Sequence, residues 1–283
     1  MEKVLENLKL NNFEFKKKFG QNFITDKNLL NAIVSDAEIK SNDDVLEIGT
    51  GAGTLTLAIS EKAHKVLTLE IDNSLRGILT QIFSERSNIE LCFADFMKVK
   101  ANEVNNHLRP HYKVVANLPY YITTPIIFKL IQDCYDVYSI TIMVQKEVAE
   151  RLVASAGSKD YGAISAELQS IADLKITRIV KKEMFTPQPK VDSAVVRIDI
   201  KRNKYTIKDL ALHDKVIQSA FAMRRKTMSN CLKSKLGLTI QQIENIYSKL
   251  NLDKNIRGEA LTVKDFVDLS NIIYDFKHNE KPE

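Results

Sequence analysis

The sequence predicts an α/β fold in which a mostly parallel sheet is followed by a small all-helical domain. Three observations predict it. Strand-like and helix-like segments alternate from about residue 26, a glycine-rich turn closes the first of the strands, and after residue 204 the strand signal gives way to four segments of helical periodicity. A chain of 283 residues with 44% hydrophobic content can bury a proper core in one large or two ordinary domains.

Taken in order, Asp26 is placed to cap a helix through NLLNAIV, and DVLEI (44–48) is a short apolar run that reads as a buried strand. A second cycle follows, with TLTLAISEK helical, KVLTLEI (65–71) extended, SLRGILTQIF helical and NIELCF (88–93) extended. HYKVVANLP (111–119) and YSITIMVQ (138–145) are further strands, with helical TPIIFKLIQDC between them and Pro125 in its first turn. Strands and helices of these lengths in alternation indicate βαβ units. Beyond Lys175, ITRIV and AVVRIDI are strand-like and flank the loop FTPQPKVDS. Helical segments are then expected near 206–222, 226–236, 239–250 and 262–275, with breaks at Gly237 and Gly258. The expected organisation is an N-terminal arm and closing segment (1–25), the sheet domain (26–204), the helical domain (205–276) and a polar tail (277–283).

Composition narrows the function classes. No uncharged stretch reaches the roughly 18 apolar residues of a membrane span, and MEKVLENLKLNNFEF has no apolar signal core, so a cytoplasmic location is expected. Cys92, Cys134 and Cys231 lie far apart and no histidine stands near them at ligand spacing, so neither a disulfide framework nor a metal site is expected. The net charge of +5 is unevenly spread: residues 175–235 carry 16 basic and 5 acidic groups, whereas residues 19–174 carry 14 and 20. A basic block on an acidic body suits a polyanionic partner such as nucleic acid, although a solvated lysine-rich face would look the same. The sequence holds no mark of self-association, and a monomer is expected.

The strongest local signal is LEIGTGAGTLT (46–56), a strand running into Gly49, Gly51 and Gly53 and then a helix. Missing side chains let a ligand approach the backbone there. The dinucleotide fingerprint would need glycine at position 54, which is threonine, and the phosphate-loop Gly-Lys-Ser/Thr is absent. Glycines at alternate positions preceded by Glu47 instead resemble the first motif of S-adenosylmethionine-dependent methyltransferases. Such a turn alone is equally compatible with a structural role. Glu70, 21 positions after Gly49, ends the second strand, where a carboxylate can accept from both ribose hydroxyls, and Asp95 ends the next, placed for an adenine amine. Asn117-Leu118-Pro119-Tyr120 ends the fourth strand. An exocyclic amine is a poor nucleophile because its lone pair is delocalised into the ring. Acceptors at the Asn117 side chain and the Leu118 carbonyl can take both amine hydrogens, while Tyr120 offers a stacking face and Pro119 stiffens the turn. Asn-x-Pro-Tyr in this context points to amino-group methyltransferases acting on nucleic acid bases or on protein glutamine.

The strings FGQNFITD, LEIGTGAGTLT, LEID, NLPYYITTPI, MVQKEVAERL, FTPQPKVDSAVV, FAMRRKT and RGEALT, in this order, resemble the small-subunit ribosomal RNA adenine dimethyltransferases, the KsgA or RsmA family, from about residue 19 to Leu261. The resemblance implies a Rossmann-like class I methyltransferase domain that uses S-adenosylmethionine to dimethylate two adjacent adenosines near the 3′ end of small-subunit ribosomal RNA, linked to late subunit assembly. It further implies that Asn22 and Ile24 close over the cofactor, that Gly49 and Gly51 approach it, and that Glu70 takes its ribose and Asp95 its adenine. Asn117 would face its methyl, and Phe185 would lie on the target base opposite Tyr120. Arg224, Arg225 and Lys226 would face RNA phosphate, as would an arm carrying Lys16, Lys17 and Lys18; a solvated helix terminus is the plainer reading of the first three. Thr50 departs from the family pattern, where proline is common, and is expected to change loop stiffness rather than chemistry. The histidines fall outside every motif. Related classes that share parts of this pattern are large-subunit RNA adenine methyltransferases, DNA amine methyltransferases, whose tetrapeptide has proline where this chain has Leu118, and non-catalytic assembly factors. A dehydrogenase fits the fold alone, but no motif supplies a proton-transfer histidine.

Overall fold

The computed structural model describes residues 22–133, 135–223 and 225–279. In chain order these form β1 (Phe23–Ile24), α1 (Lys27–Asp36), β2 (Asp44–Ile48), α2 (Thr54–Ser60), β3 (Lys65–Glu70), α3 (Arg76–Phe83), β4 (Ile89–Phe93), α4 (Ala101–Asn105), β5 (Tyr112–Asn117), α5 (Thr123–Gln132) and β6 (Val137–Gln145). There follow α6 (Lys146–Leu152), α7 (Ala163–Ile171), β7 (Ala172–Val180), β8 (Phe185–Thr186), β9 (Ser193–Ile200), α8 (Leu210–Phe221), α9 (Met228–Leu236), α10 (Ile240–Leu250) and α11 (Val263–Asn279). The chain divides into two compact units.

The first unit comprises the chain up to Ala149 together with Lys175–Ile200. Its sheet has the order β4-β3-β2-β5-β6-β9-β7. The pairs from β4 through to β6 are parallel, and β9 runs antiparallel to β6. The order reverses between β2 and β5, so their carboxyl ends open a crevice, the usual ligand position in a sheet of this kind. Apolar side chains cover both strands because helices pack on the sheet: Leu30 and Ile33 of α1 and Ile59 of α2 share a buried cluster with Val45, Val66 and Val115. Asp26 starts α1 as expected, its Oδ1 accepting from Leu29 N–H at 2.7 Å.

The second unit comprises Glu150–Leu174 and the chain from Lys201 onward. Met228, Cys231, Leu232, Ile246, Phe266 and Leu269 meet in its core with Val216 and Ile217. The four expected C-terminal helices are present, the first beginning at Leu210 because Asp209 caps it, accepting from Leu212 N–H at 3.0 Å. Gly237 ends α9 in the left-handed region, φ +71°, where L side chains are disfavoured. The segment 150–174, expected with the sheet domain, belongs to this unit instead. It contributes α7, whose residues Ile164, Ala166, Glu167 and Leu168 are all buried. His213 is buried and bonded to Ser170 Oγ at 2.8 Å and Ser270 Oγ at 3.0 Å, tying α7, α8 and α11 together. Burial holds its imidazole well below the usual range, at about 4, so it stays neutral.

No helix among the described residues is long and apolar enough to cross a membrane, and no group of three or more His, Cys, Asp or Glu there could hold a metal ion. Cys92 and Cys231 are free thiols.

Gly258 shows how tightly the helical unit is packed. A Cβ at this position would stand 2.7 Å from Ala220 Cβ and 2.8 Å from Ala220 O, and the latter cannot swing away. Gly258→Ala is expected to destabilise the protein by about 1–3 kcal/mol, read as a lowered denaturation midpoint; an unchanged midpoint would mean that the turn and α8 separate freely.

Candidate active site

The cleft at the crevice is lined by Asn22, Phe23 and Ile24, by Glu47, by Gly49 to Ala52, by Glu70 and Ile71, and by Asn117 and Pro119. Its floor is the turn after β2. Gly49, Gly51 and Gly53 have φ of +85°, +56° and +76°, a conformation that L side chains resist. A Cβ on Gly49 would meet nothing nearer than Asn117 O at 3.9 Å, so backbone there faces open cleft, whereas one on Gly51 would press on the Phe23 ring at 3.1 Å. Gly51 N–H donates to Glu70 Oε2 at 2.8 Å, and Asp72 N–H donates to Glu70 Oε1 at 2.8 Å. These bonds fix the Glu70 carboxylate at the end of β3 and leave each oxygen a further lone pair. Burial pushes its carboxyl up, against the pull of those N–H groups.

Glu47 sits deeper, with no exposed surface. Its Oε2 accepts from Thr56 Oγ1 and from Thr68 Oγ1, the second at 2.7 Å, and Thr50 Oγ1 meets Thr68 Oγ1 at 2.7 Å. Since Thr68 spends its proton on Glu47, Thr50 is the donor to Thr68. Thr50, expected to affect only loop stiffness, thus extends a hydroxyl chain to a buried carboxyl, which proline could not do. Glu47 Oε1 has no partner, and burial pushes the carboxyl from its usual value near 4.5 up to about 8.

Asn117 stands at the end of β5 with its Nδ2 donating to Asn22 O at 2.8 Å. Ile24 is buried and its carbonyl accepts from Thr54 Oγ1 at 2.7 Å. Leu118 is buried beneath the turn, its N–H donating to Met143 O at 3.3 Å, and the Pro119 carbonyl accepts from Ile122 N–H at 3.2 Å as α5 begins. Tyr120 is half-buried and bonded through its hydroxyl to Ser193 Oγ at 2.7 Å, so the end of the FTPQPKVDS loop holds the ring's position.

The structure therefore brings Asn22, Ile24, Gly49, Gly51, Glu70, Asn117 and Pro119 into one cleft. Asp95, two residues past β4, is outside that lining; it is half-buried, and its Oδ1 accepts from Met97 N–H at 3.0 Å. Phe185, expected against a target base opposite Tyr120, is also outside that lining; it is 4% exposed and packs in the cluster of Ile24, Leu30 and Val195, where β8 pairs with β1. Arg225 and Lys226 are exposed in the turn before α9, in the second unit. Lys16, Lys17, Lys18 and Arg224 lie outside the described residues. Phe23, Thr54 and Ile71 were not singled out by sequence reasoning. Each lies inside a motif quoted above, Phe23 in FGQNFITD, Thr54 in LEIGTGAGTLT and Ile71 in LEID, where the neighbouring residues drew the reading.

The donor set suits a ligand with vicinal hydroxyls and a cationic or amine end: a carboxylate at the rim, an unpartnered buried carboxyl oxygen below, and bare backbone between. S-adenosylmethionine has these features, and Gly49, Gly51, Glu47 and Glu70 are the residues that would hold it.

Known proteins resemble this chain along most of its length. A family model described as ribosomal RNA adenine dimethylase matches residues 12–275. The chain is 45% identical over 264 residues to the ribosomal RNA small subunit methyltransferase A of Clostridium acetobutylicum, covering 93% of this chain and 95% of that protein. It is 41% identical over 265 residues to the protein of the same name from Clostridioides difficile, covering 93% and 92%. Among solved structures, a dimethyladenosine transferase from Plasmodium falciparum superposes with a TM-score of 0.74 at 26% identity over 91% of this chain and 98% of that one. The 23S rRNA methyltransferase ErmE superposes with 0.70 at 22% identity over 89% and 100%, a likeness of fold.

The protonated Glu47 carboxyl has a measurable signature. Between about pH 4.5 and 8 the folded state holds a proton that the unfolded chain has released, so stability falls as pH rises through that window. Glu47→Gln keeps an acceptor for both threonines and removes the titration. Its denaturation midpoint relative to wild type is expected to improve steadily from about pH 5 to pH 8; parallel pH profiles would mean that Glu47 is ionised in the fold.

Proposed function

The chain belongs to the ribosomal RNA adenine dimethylase family, and we propose that it dimethylates the exocyclic amines of two adjacent adenosines near the 3′ end of small-subunit ribosomal RNA during late subunit assembly. The observation that carries this reading is Asn117: it lines the cleft with its NH₂ end committed to Asn22 O, which leaves the carbonyl oxygen to face an incoming amine.

S-adenosylmethionine, when bound, supplies a methyl group on a sulfonium that is already a good leaving group. What the protein adds is alignment and acceptors. Gly49 and Gly51 offer bare backbone, Glu70 takes hydroxyls, and Asp95 is proposed for the adenine amine. At the target, Asn117 Oδ1 and the Leu118 carbonyl accept the two amine hydrogens, which draws the lone pair out of the ring. Tyr120, anchored through Ser193, supplies a face for the base. The adenosine leaves its stack to enter the cleft, at a cost of about a few kcal/mol that is lowest in an RNA loop.

Arg225 and Lys226 support the choice of RNA. Cations at a helix N-terminus are opposed by the helix dipole, so their position just before α9 does nothing for the helix itself, whereas together with that terminus they suit a phosphate. Lys16, Lys17, Lys18 and Arg224 are proposed as further phosphate contacts on the family resemblance. With a small ribosomal subunit as substrate, a cytoplasmic location is proposed, and we take the monomer as the working unit.

Two experiments test the reading. Labelled S-adenosylmethionine is supplied with unmethylated small subunits, large subunits, naked RNA or DNA, and the nucleosides are identified by mass spectrometry. Dimethyladenosine is expected on small-subunit RNA alone, with Asn117→Ala about 10²–10³-fold slower in kcat, the cost of losing one preorganised polar contact to the reacting group. Transfer to large-subunit RNA or DNA instead would overturn the substrate assignment. Separately, neutralising Arg225 and Lys226 is expected to weaken small-subunit binding and to lower the slope of log affinity against log salt by about one per residue. An unchanged slope would place the RNA contact elsewhere.

A further inference from the structure

We infer that the main-chain carbonyl of Asn22 is a positioning group for catalysis: it decides which end of the Asn117 amide faces the target amine. The inference rests on the methyl-transfer reading of Asn117 and assigns the segment 22–24 a task beyond covering the cofactor.

A primary amide has a donor end and an acceptor end, and its terminal torsion is soft, so by itself it presents either. An amine that is to be methylated brings hydrogens and needs an acceptor. An NH₂ turned toward it would set donor against donor. Asn22 O is an acceptor only, and it lies 2.8 Å from the Asn117 amide nitrogen across 95 positions of sequence. Only the NH₂ end can satisfy it, so Oδ1 is turned the other way. The orientation thus follows from the chemistry of the partner.

The carbonyl can do this because its own segment is pinned at three points. Thr54 Oγ1 donates to the Ile24 carbonyl at 2.7 Å. Phe23 and Ile24 pair antiparallel with Thr186 and Phe185. The Phe23 ring is buried with Leu75, Leu79 and Phe83 and lies against Gly51, where a Cβ would press on it at 3.1 Å. The start of α2, the glycine turn and β8 therefore all bear on the placement of one carbonyl oxygen.

Asn117→Asp tests this directly. An ionised carboxylate cannot donate to Asn22 O, whereas a protonated one can, and it then presents an acceptor oxygen to the amine as the amide does. The ratio of the variant's kcat to that of wild type is expected to rise as pH falls, by about tenfold per unit above the new carboxyl's pKa. Taking the ratio cancels titrations common to both enzymes. A ratio that is flat, that rises with pH, or that stays at zero in a variant whose thermal unfolding matches wild type would overturn the inference, because an acceptor-only group would then serve no worse than an oriented amide or would fail for another reason.

A second measurement does not depend on turnover. In ¹⁵N spectra of the full-length protein without cofactor, the Asn117 side-chain NH₂ signal, identified by its loss in Asn117→Asp, is expected to exchange at least tenfold more slowly than those of exposed asparagines and to speed up in Thr54→Val, which frees the segment. Exchange as fast as at exposed asparagines would overturn it. If wild type fails to methylate adenosine while the slow exchange is seen, the reaction assigned above is wrong and the orientation stands.

Discussion

The bond from Gly51 N–H to the Glu70 carboxylate is the constraint on which the site depends. It fastens the turn after β2 to the end of β3, and so keeps bare backbone and a carboxylate on the same wall of the crevice. Parallel pairing of β2 with both β3 and β5 makes this possible, since it brings three carboxyl ends to one edge of the sheet. Burial disfavours the charged form of Glu70, and Glu47 beneath it is disfavoured further. Two adjacent carboxyl groups in a desolvated crevice are a destabilising arrangement that packing alone would not select. They are intelligible as oxygens held ready for a polar ligand.

The segment 22–24 closes this arrangement from above. Its carbonyls are engaged by Asn117 and Thr54, and its Phe23 ring occupies the space that a side chain on Gly51 would need. Conformational and steric demands thus fall on the same glycine, φ +56° being the first and Phe23 the second. The cleft wall and the Asn117 side chain are not independent parts here, because the Asn22 carbonyl belongs to the one and holds the other. The helical unit is built differently, around an apolar core crossed by a neutral histidine between two serines. Its exposed cations before α9 have no structural task that the fold reveals, which is consistent with a partner that is itself charged.

Most of the strands, all four C-terminal helices and the cleft residues Gly49, Gly51, Glu70 and Asn117 were legible in the sequence. Their signals are local: β-branched runs ended by glycine, polar caps such as Asp26 and Asp209, and short motifs at strand ends. The helix 163–171 was passed over although Ile164, Leu168 and Ile171 repeat at helical spacing, and the membership of 150–174 in the second unit is a matter of tertiary contacts that no local pattern records. The burial of Phe185 was likewise not legible: a motif says that an aromatic is present, and the pairing of β8 with β1 decides what surrounds it.

The sequence by itself determined the order of elements, the parallel α/β class, the glycine turn and the identity of the acids at the strand ends, because each of these depends on residues adjacent in the chain. Tertiary structure alone decided that Thr50 reaches Glu47 through Thr68, that Glu47 keeps its proton, and that the Asn117 amide is turned by Asn22. The physical reason is common to all three. Desolvation and hydrogen-bond direction depend on what surrounds a group in space, and at this site the surroundings come from segments up to 95 residues apart.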